Sequence, residues 1–243
     1  TASAWAAPAS FATIESAGLN ATDITAARDA FRSAIGGGTV AAANGAFGGL
    51  RREINWDAVP DAKADPARLA DNFFNVNSPR GVVFSTTGDG FLVSANAGQA
   101  APESFGFSSQ LQAFSPQRLF TAVNSNITDV TFFVPGTTQA ATTSAFGVIF
   151  TGVEDYGQTK MEFFDARGNL IYQRDALVGG NKGFSFLGAM AEAGEQISRV
   201  RLTSGLATIA GNGVLGKTSG DLVAMDDFLY AEPTAAVSAV PEP

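Results

Sequence analysis

Residues 145–150 read Ala-Phe-Gly-Val-Ile-Phe, with a large apolar side chain at every second position. Successive side chains of a β-strand point to opposite faces of the sheet, so Phe146, Val148 and Phe150 share one face. The residues between them are small or aliphatic, which makes the segment apolar on both faces. Such a segment is typical of a strand that is covered on both sides. It predicts a buried central strand, and hence a fold built around a sheet.

Further short apolar or alternating segments occur between residues 39 and 230, namely 50–56, 81–85, 91–95, 118–123, 128–134, 160–165, 169–174, 184–190, 196–203 and 222–230. Glycine and proline separate them. Pro135-Gly136 is typical of a type II turn, and Gly168 falls at the positive-φ position of a hairpin loop. No segment repeats with a fixed period, which argues against a solenoid or a propeller. We therefore expect a mainly β protein, an antiparallel two-sheet sandwich of the jelly-roll type.

One helical pattern precedes the strands, in residues 20–38. Apolar residues recur there at helical spacing, Thr22 can serve as the N-cap, and the glycine run at 36–38 ends the pattern. We expect one short N-terminal helix that lies as a lid on one end of the sandwich.

The remaining segments complete the predicted organisation. Residues 1–19 form an Ala/Ser-rich arm, whose apolar patch at 11–14 predicts either a short strand or an arm packed on a neighbouring molecule. Residues 39–230 form the sandwich domain. Residues 231–243 are rich in Ala, Pro and Ser, which predicts an extended stalk.

Charge and missing residue types exclude several functions. The chain of 243 residues has a net charge of −8 and no cluster of basic residues, which argues against nucleic acid as a partner. It has no Cys, which excludes disulfides and thiolate metal sites, and no His, which excludes His-based catalytic triads and the usual zinc sites. No apolar run reaches the ~20 residues that a membrane span needs.

Four carboxylates predict a cation site. Glu53 and Asp57 lie on and after the first strong strand, and Asp226 and Asp227 lie within the last one. Neighbouring strand residues point to opposite faces, so one of the two adjacent aspartates should face inward or towards an edge. A carboxylate there is costly unless it is paired or bound to a cation. The last strand resembles the closing strand of extracellular jelly-roll domains, in which an Asp often helps to hold calcium. That resemblance implies calcium as the cofactor. The alternative is that Asp226 or Asp227 pairs with an arginine such as Arg51 or Arg52, or caps a turn.

Aromatic side chains predict a ligand site. Trp56 follows a strand and opens a long loop at residues 57–80, and with Tyr156 it can offer a flat surface on which sugar rings stack. The alternative is that these rings pack in the core or at its rim. We expect the ligand to be a polysaccharide.

Residues 211–218 match the phosphate-binding pattern G-x-x-x-x-G-K-T. That pattern binds phosphate only where a helix starts directly after the Lys-Thr pair, so that its N–H groups face the anion. Here residues 219–221 read Ser-Gly-Asp, and a β-like run starts at Leu222. We therefore expect a glycine-rich hairpin loop and no nucleotide site.

Residues 240–243, Val-Pro-Glu-Pro, resemble the signature of the PEP-CTERM proteins. In that family the signature precedes a membrane helix and a basic tail, and an exosortase handles the segment during export. The chain stops at the signature, so we expect the membrane helix to have been removed. The resemblance implies an exported protein at the cell surface or outside the cell. A group of exported bacterial proteins without a defined activity is similar in residues 75–81, 114–120, 129–136, 145–150 and 225–228.

Together these patterns favour a non-catalytic extracellular surface or matrix protein that binds a polysaccharide through a calcium-stabilised jelly roll. The second hypothesis is a structural subunit that assembles with its own copies into a fibre or a biofilm matrix, with residues 1–19 and 231–243 as connectors. An extracellular polysaccharide hydrolase ranks third, because the sequence singles out no pair of carboxylates at catalytic spacing.

Overall fold

The computed structural model describes residues 8–237. Within this range the protein is mainly β, with two α-helices, α1 (Thr22–Ile35) and α2 (Phe73–Val76). The strands are β1 (Phe11–Gly18), β2 (Ala46–Phe47), β3 (Arg51–Ile54), β4 (Val82–Ser85), β5 (Phe91–Val93), β6 (Phe120–Ala122), β7 (Ile127–Phe132), β8 (Ala141–Thr142), β9 (Ala145–Thr151), β10 (Lys160–Phe164), β11 (Leu170–Asp175), β12 (Phe184–Ala191), β13 (Arg199–Thr203), β14 (Ile209–Gly211), β15 (Val214–Leu215), β16 (Ala224–Ala231) and β17 (Thr234–Ala235).

Eight of the described strands form the larger sheet. Its order is β1-β12-β9-β16-β3-β2, and β6 and β5 extend it beside β16. Its strand pairs are antiparallel. Strand β9 lies between β12 and β16, and every one of its residues is buried. The buried central strand predicted from residues 145–150 is thus confirmed.

Five other described strands form a second antiparallel sheet in the order β11-β10-β13-β7-β4. Burial alternates along β13, with Val200 and Leu202 buried. These side chains belong to the same apolar cluster as Phe146 and Val148 of the larger sheet. The two sheets therefore share one core.

Helix α1 packs on the other face of the larger sheet, where Ile24 and Phe31 are completely buried. Phe31 lies over Gly147 of β9 and Gly188 of β12, which are paired across the two strands. A Cβ atom on Gly147 would lie 2.9 Å from the Phe31 ring, and one on Gly188 would lie 2.8 Å from it. We call these two residues the glycine notch, because their missing side chains leave the space that the Phe31 ring of the helix occupies. Helix α1 therefore covers a sheet face, and not one end of the sandwich as we expected.

The predicted helix is confirmed, but its N-cap differs. Thr22 is the first helical residue, and the cap position belongs to Ala21, which makes no side-chain hydrogen bond. Asp23, in the first turn of the helix, stabilises the chain just before it, because its Oδ2 accepts a hydrogen bond from the Asn20 N–H at 2.8 Å. Gly36 ends the helix with a φ of 95°, as the glycine run predicted.

Both ends of the described chain are paired with the rest of the fold. Strand β1 pairs with β12 along its whole length, so this part of the predicted arm is an edge strand of the chain's own sheet. Strand β17 pairs with β8, and Glu232 binds Arg52 at 2.7 Å, so residues 231–237 are not an extended stalk. Residues 1–7 of the predicted arm and 238–243 of the predicted stalk, with the signature at 240–243, lie outside the described residues.

Two shorter features lie in the loops. Helix α2 interrupts the loop at 57–80, so the expectation of one helix is incomplete; four residues are too few for a helical period to be recognised. Strands β14 and β15 form a hairpin over residues 209–215, whose turn lies in the glycine-rich stretch 211–218 as predicted, with positive φ at Asn212 and Gly213. In the part of the chain that the structure describes, no helix has the length and apolar character needed to cross a membrane.

Candidate functional site

Strand β16 carries one extra residue relative to β9. The register shifts between Met225 and Phe228, so that three steps along β16 match two along β9. A bulge of this kind re-aims side chains locally. At this bulge Asp226 and Asp227 are both buried, and the negative charge of Asp227 acts on Asp226. The expectation that only one of the two faces inward is therefore wrong, because both are buried.

Asp226 ties β16 to the loop before β6. Its Oδ2 accepts hydrogen bonds from the backbone N–H groups of Phe114 at 2.6 Å and Ser115 at 3.3 Å. Its Oδ1 accepts one from the Ser115 hydroxyl at 2.9 Å. Burial nevertheless raises the pKa of Asp226 well above its ordinary value, and the negative charge of Asp227 adds to the rise. This carboxyl therefore sits where ionisation is costly.

Three carboxyl groups lie near Ser115. The Ser115 hydroxyl donates to Asp226 at 2.9 Å, and Asp57 and Asp227 lie close enough for the charge of Asp227 to raise the pKa of Asp57. Among the described residues, the Oδ1 atom of Asp227 has no hydrogen-bond partner although it is buried. An unpartnered buried polar group costs about 1–3 kcal/mol, and more when it is charged. Asp57, Asp226 and Asp227, the acidic cluster, therefore favour a bound proton or cation.

Glu53 does not belong to the acidic cluster. Arg32 binds both of its carboxylate oxygens, at 2.8 Å and 2.7 Å, and the Nε of Arg51 donates to it at 2.8 Å. A carboxylate between two guanidinium groups is already neutralised, which contradicts the prediction of Glu53 as a metal ligand. Within residues 8–237, no group of three or more acidic side chains is arranged to hold a metal ion.

Trp56 lies in the core and not on the surface. Its side chain is 1% exposed, its ring stacks on Phe120 with a centroid distance of 4.0 Å, and its Nε1 donates to the Asp226 carbonyl oxygen at 2.9 Å. The indole offers no face to a sugar, so the prediction of Trp56 as a ligand-binding residue is wrong and core packing is correct. Tyr156 is 70% exposed in the turn between β9 and β10. Its predicted role in ligand binding stays a prediction.

A cavity of about 730 Å³ lies between α1 and the chain around β2 and β3. Arg28, Asp29 and Arg32 of α1 line one side, and Phe47 and Arg51 line the other. The volume falls within the ~300–1,000 Å³ that ligand sites commonly have. We call this site the arginine cavity.

Arg51 holds the wall of the arginine cavity in place. It is 1% exposed, and its guanidinium donates to the carbonyl oxygens of Gly36 and Gly38 and to Glu53. The same group lies over the Phe47 ring, 4.4 Å from its centroid. These contacts use most of its N–H groups, so Arg51 fixes the shape of the cavity and leaves few N–H groups for a ligand.

Sequence reasoning missed the arginine cavity. Arg28, Asp29 and Arg32 lie on the polar face of an amphipathic helix, where charged residues are ordinary. The available signal was the glycine run at 36–38, which indicates a sharp return of the chain towards α1 but does not name the residues that meet there.

No protein-family model matches the chain, and no curated protein matches it either. What the protein does is therefore inferred from the geometry of its own residues.

The acidic cluster predicts a pH dependence of stability. Burial raises the pKa of Asp57 from 3.8 to about 6, and Asp227 adds to the rise. The unfolded chain releases this proton at a lower pH than the folded protein does, so stability falls as the pH rises from about 4 through 6. The raised pKa of Asp226 contributes a fall in the same direction. We expect the melting temperature measured in a chelator to decrease over this range, and to decrease less in Asp57→Asn.

The comparison of the two proteins isolates Asp57, because Asn keeps the size of the side chain and an oxygen for the Arg118 N–H, which Asp57 accepts at 3.3 Å. Parallel melting curves for wild type and Asp57→Asn across this pH range would contradict the raised pKa.

Proposed function

We propose that the protein is a non-catalytic extracellular surface or matrix protein that binds a polysaccharide in the arginine cavity. The observation that supports this function is a cavity of about 730 Å³ with guanidinium groups, the hydroxyl groups of Ser33 and Thr39, and the Phe47 ring on its wall. A few fixed polar groups beside an aromatic surface are what an orienting ligand site requires. Sugar rings present hydroxyl groups at their edges and C–H groups on their faces, which match such a wall.

A jelly roll and export to the cell surface belong to the same proposal. Two antiparallel sheets with a shared core support the jelly roll, as does the alternation of consecutive strands such as β9 and β10 between the sheets. The resemblance of residues 240–243 to the PEP-CTERM signature supports export, with an exosortase as partner. Fractionation of cells that make the natural protein tests the location, and retention in the cytoplasm would contradict it.

Blocking the cavity tests the binding function. We expect the protein to bind at least one member of a polysaccharide panel, and Ser33→Trp to abolish this binding because the indole would fill the cavity. Ala30→Trp is the matched control, since Ala30 is an exposed residue of the same helix that does not line the cavity. Loss of binding in Tyr156→Ala but not in Ser33→Trp would move the site to Tyr156. A panel without any bound member would refute the function.

We also propose that calcium stabilises the fold at the acidic cluster. Asp226 and Asp227 would supply carboxylate oxygens, and the Ser115 hydroxyl and the Asn55 carbonyl oxygen, 3.4 Å apart, would supply further ones. The unpartnered Oδ1 atom of Asp227 supports this set, and Asp57 lies close enough for the charge of Asp227 to raise its pKa. Calcium, when bound, supplies the positive charge that these buried carboxylates lack.

Chelation tests the calcium proposal. An ion that binds only the folded state at 100 times its dissociation constant stabilises by about 2.7 kcal/mol, so we expect a melting temperature higher in calcium than in chelator by roughly 5–10 °C. Asp227→Asn should remove this difference, and should raise the melting temperature in chelator because it removes a buried charge. Glu103→Gln, at an exposed acidic residue, should change neither. Identical wild-type melting curves with and without calcium would end the proposal.

Self-assembly is the second candidate function, and the free edge of β1 favours it. Among the described residues nothing pairs with the outer edge of this strand. Its eight residues contain no Pro, Lys or Arg, which commonly protect such edges. Light scattering at high concentration tests this candidate: growing particles that Ala12→Lys disperses would support it, and a monomer would exclude it.

A further inference from the structure

The arginine cavity brings three guanidinium groups together on a chain whose net charge is −8. They are those of Arg28, Arg32 and Arg51. Glu53 binds Arg32 and Arg51, and the charge of the buried Asp227 also acts on Arg32. Arg28 has only a share in Asp29, which it divides with Arg32, so Arg28 is the guanidinium group that direct contacts neutralise least. An anionic ligand would therefore meet attraction at Arg28 and repulsion from the acidic remainder of the protein.

The guanidinium groups are held in position before a ligand binds. Arg28 lies over the Phe114 ring, 5.1 Å from its centroid, and its Nη2 is 2.9 Å from the Oδ1 of Asp29. Arg32 reaches the same oxygen at 3.2 Å with its Nη1, while its Nε and Nη2 bind Glu53. One carboxylate oxygen thus serves two arginines. Within residues 8–237, Arg28 forms an ion pair with Asp29 alone, so N–H groups of Arg28 stay available to a ligand.

A planar guanidinium group binds a carboxylate through two parallel hydrogen bonds, which a neutral sugar cannot reproduce. The hydroxyl groups of Ser33 and Thr39 on the same wall match the hydroxyl groups of a sugar ring. We infer that the arginine cavity binds a polysaccharide with carboxylate groups, a uronic-acid chain, and that Arg28 contacts its carboxylate. This inference rests on the proposed function and names the ligand class of the same site.

Asp29 competes with such a ligand for the two arginines. Its side chain is 52% exposed, so replacement by Asn removes a negative charge from the cavity with little effect on the core. Asp29→Asn should therefore bind an acidic chain severalfold more tightly and a neutral chain unchanged. A purely structural role of Asp29 would not produce this gain.

Calorimetric titration of the full chain tests the inference with two matched probes, oligogalacturonate and its fully methyl-esterified form. The esters remove the negative charge and keep the sugar backbone. We expect the free acid to bind at least about tenfold more tightly than the ester. Arg28→Gln should lose about tenfold in affinity for the free acid and little for the ester. Arg167→Gln, in the exposed turn between β10 and β11, should change neither. Melting curves of both variants verify that they fold.

Each outcome decides a different question. Equal affinity for the acid and the ester, or tighter binding of the ester, overturns the inference and leaves the proposed function standing. Absence of binding to both probes also overturns the inference, whereas the polysaccharide panel decides the proposed function separately. Binding of the free acid that Arg28→Gln leaves unchanged would likewise overturn it.

Discussion

Trp56→Ala is expected to lower the free energy of unfolding by about 3–5 kcal/mol. The indole is surrounded by aromatic rings, stacked on Phe120 and edge-on to Phe74 and Phe228. Its removal leaves a space that these rigid rings cannot fill, and it deletes the hydrogen bond to the Asp226 carbonyl oxygen. Urea unfolding followed by circular dichroism measures the loss.

Two further variants serve as comparisons for Trp56→Ala. Trp56→Phe keeps most of the ring and loses the N–H donor, so it should cost less than Trp56→Ala. Tyr156→Ala, at an exposed residue, should stay within about 0.5 kcal/mol of wild type. A Trp56→Ala protein of wild-type stability that no longer binds polysaccharide would contradict the buried position of Trp56.

Phe31→Ala should also cost about 3–5 kcal/mol, because this ring holds α1 in the glycine notch. Gly188→Ala should cost about 1–3 kcal/mol, because the added methyl group would lie 2.8 Å from the same ring. In the double variant the methyl group enters space that the ring has left. The two costs should therefore not add, and a double-mutant cycle in urea should give an interaction energy of about 1 kcal/mol or more.

The control for this cycle pairs Phe31→Ala with Val214→Ala. Val214 is 57% exposed in the β14–β15 hairpin, where it shares no partner with Phe31, so these costs should add. Additive costs for Phe31→Ala and Gly188→Ala would show that the ring and the glycine do not touch. The position of α1, and with it one wall of the arginine cavity, would then need another explanation.

The strands were predictable because burial on a sheet leaves a local pattern. Strands β9, β10 and β13 all lie within segments predicted from alternation or apolar runs. Their pairing was not predictable, since β16 meets β9 across some 80 residues of sequence and its register depends on both strands. The jelly-roll order of the strands depends on many such long-range pairings, and it stays a proposal.

For the candidate sites, the sequence shows the chemistry of each residue but not the position that the fold gives it. The cost of a buried carboxylate indicates that Asp226 and Asp227 need partners, but whether they form a metal site with Asp57 stays a prediction. The bulge at the adjacent pair arises from the register with β9, which leaves no local trace. Glu53 and Trp56 show where the sequence misleads. A carboxylate or an indole at a strand end has the same sequence context whether it faces a ligand, an arginine or the core.

The contact of β17 with β8 has a mechanical consequence. A pull on the C-terminal end of the described chain first loads this two-residue pairing and the double hydrogen bond between Glu232 and Arg52, at 2.7 Å and 2.8 Å. Only when both have yielded does the tension reach β16, which lies in the middle of the larger sheet between β9 and β3. The β17–β8 pairing and the ion pair of Glu232 with Arg52 should therefore separate before β16 is pulled from the larger sheet.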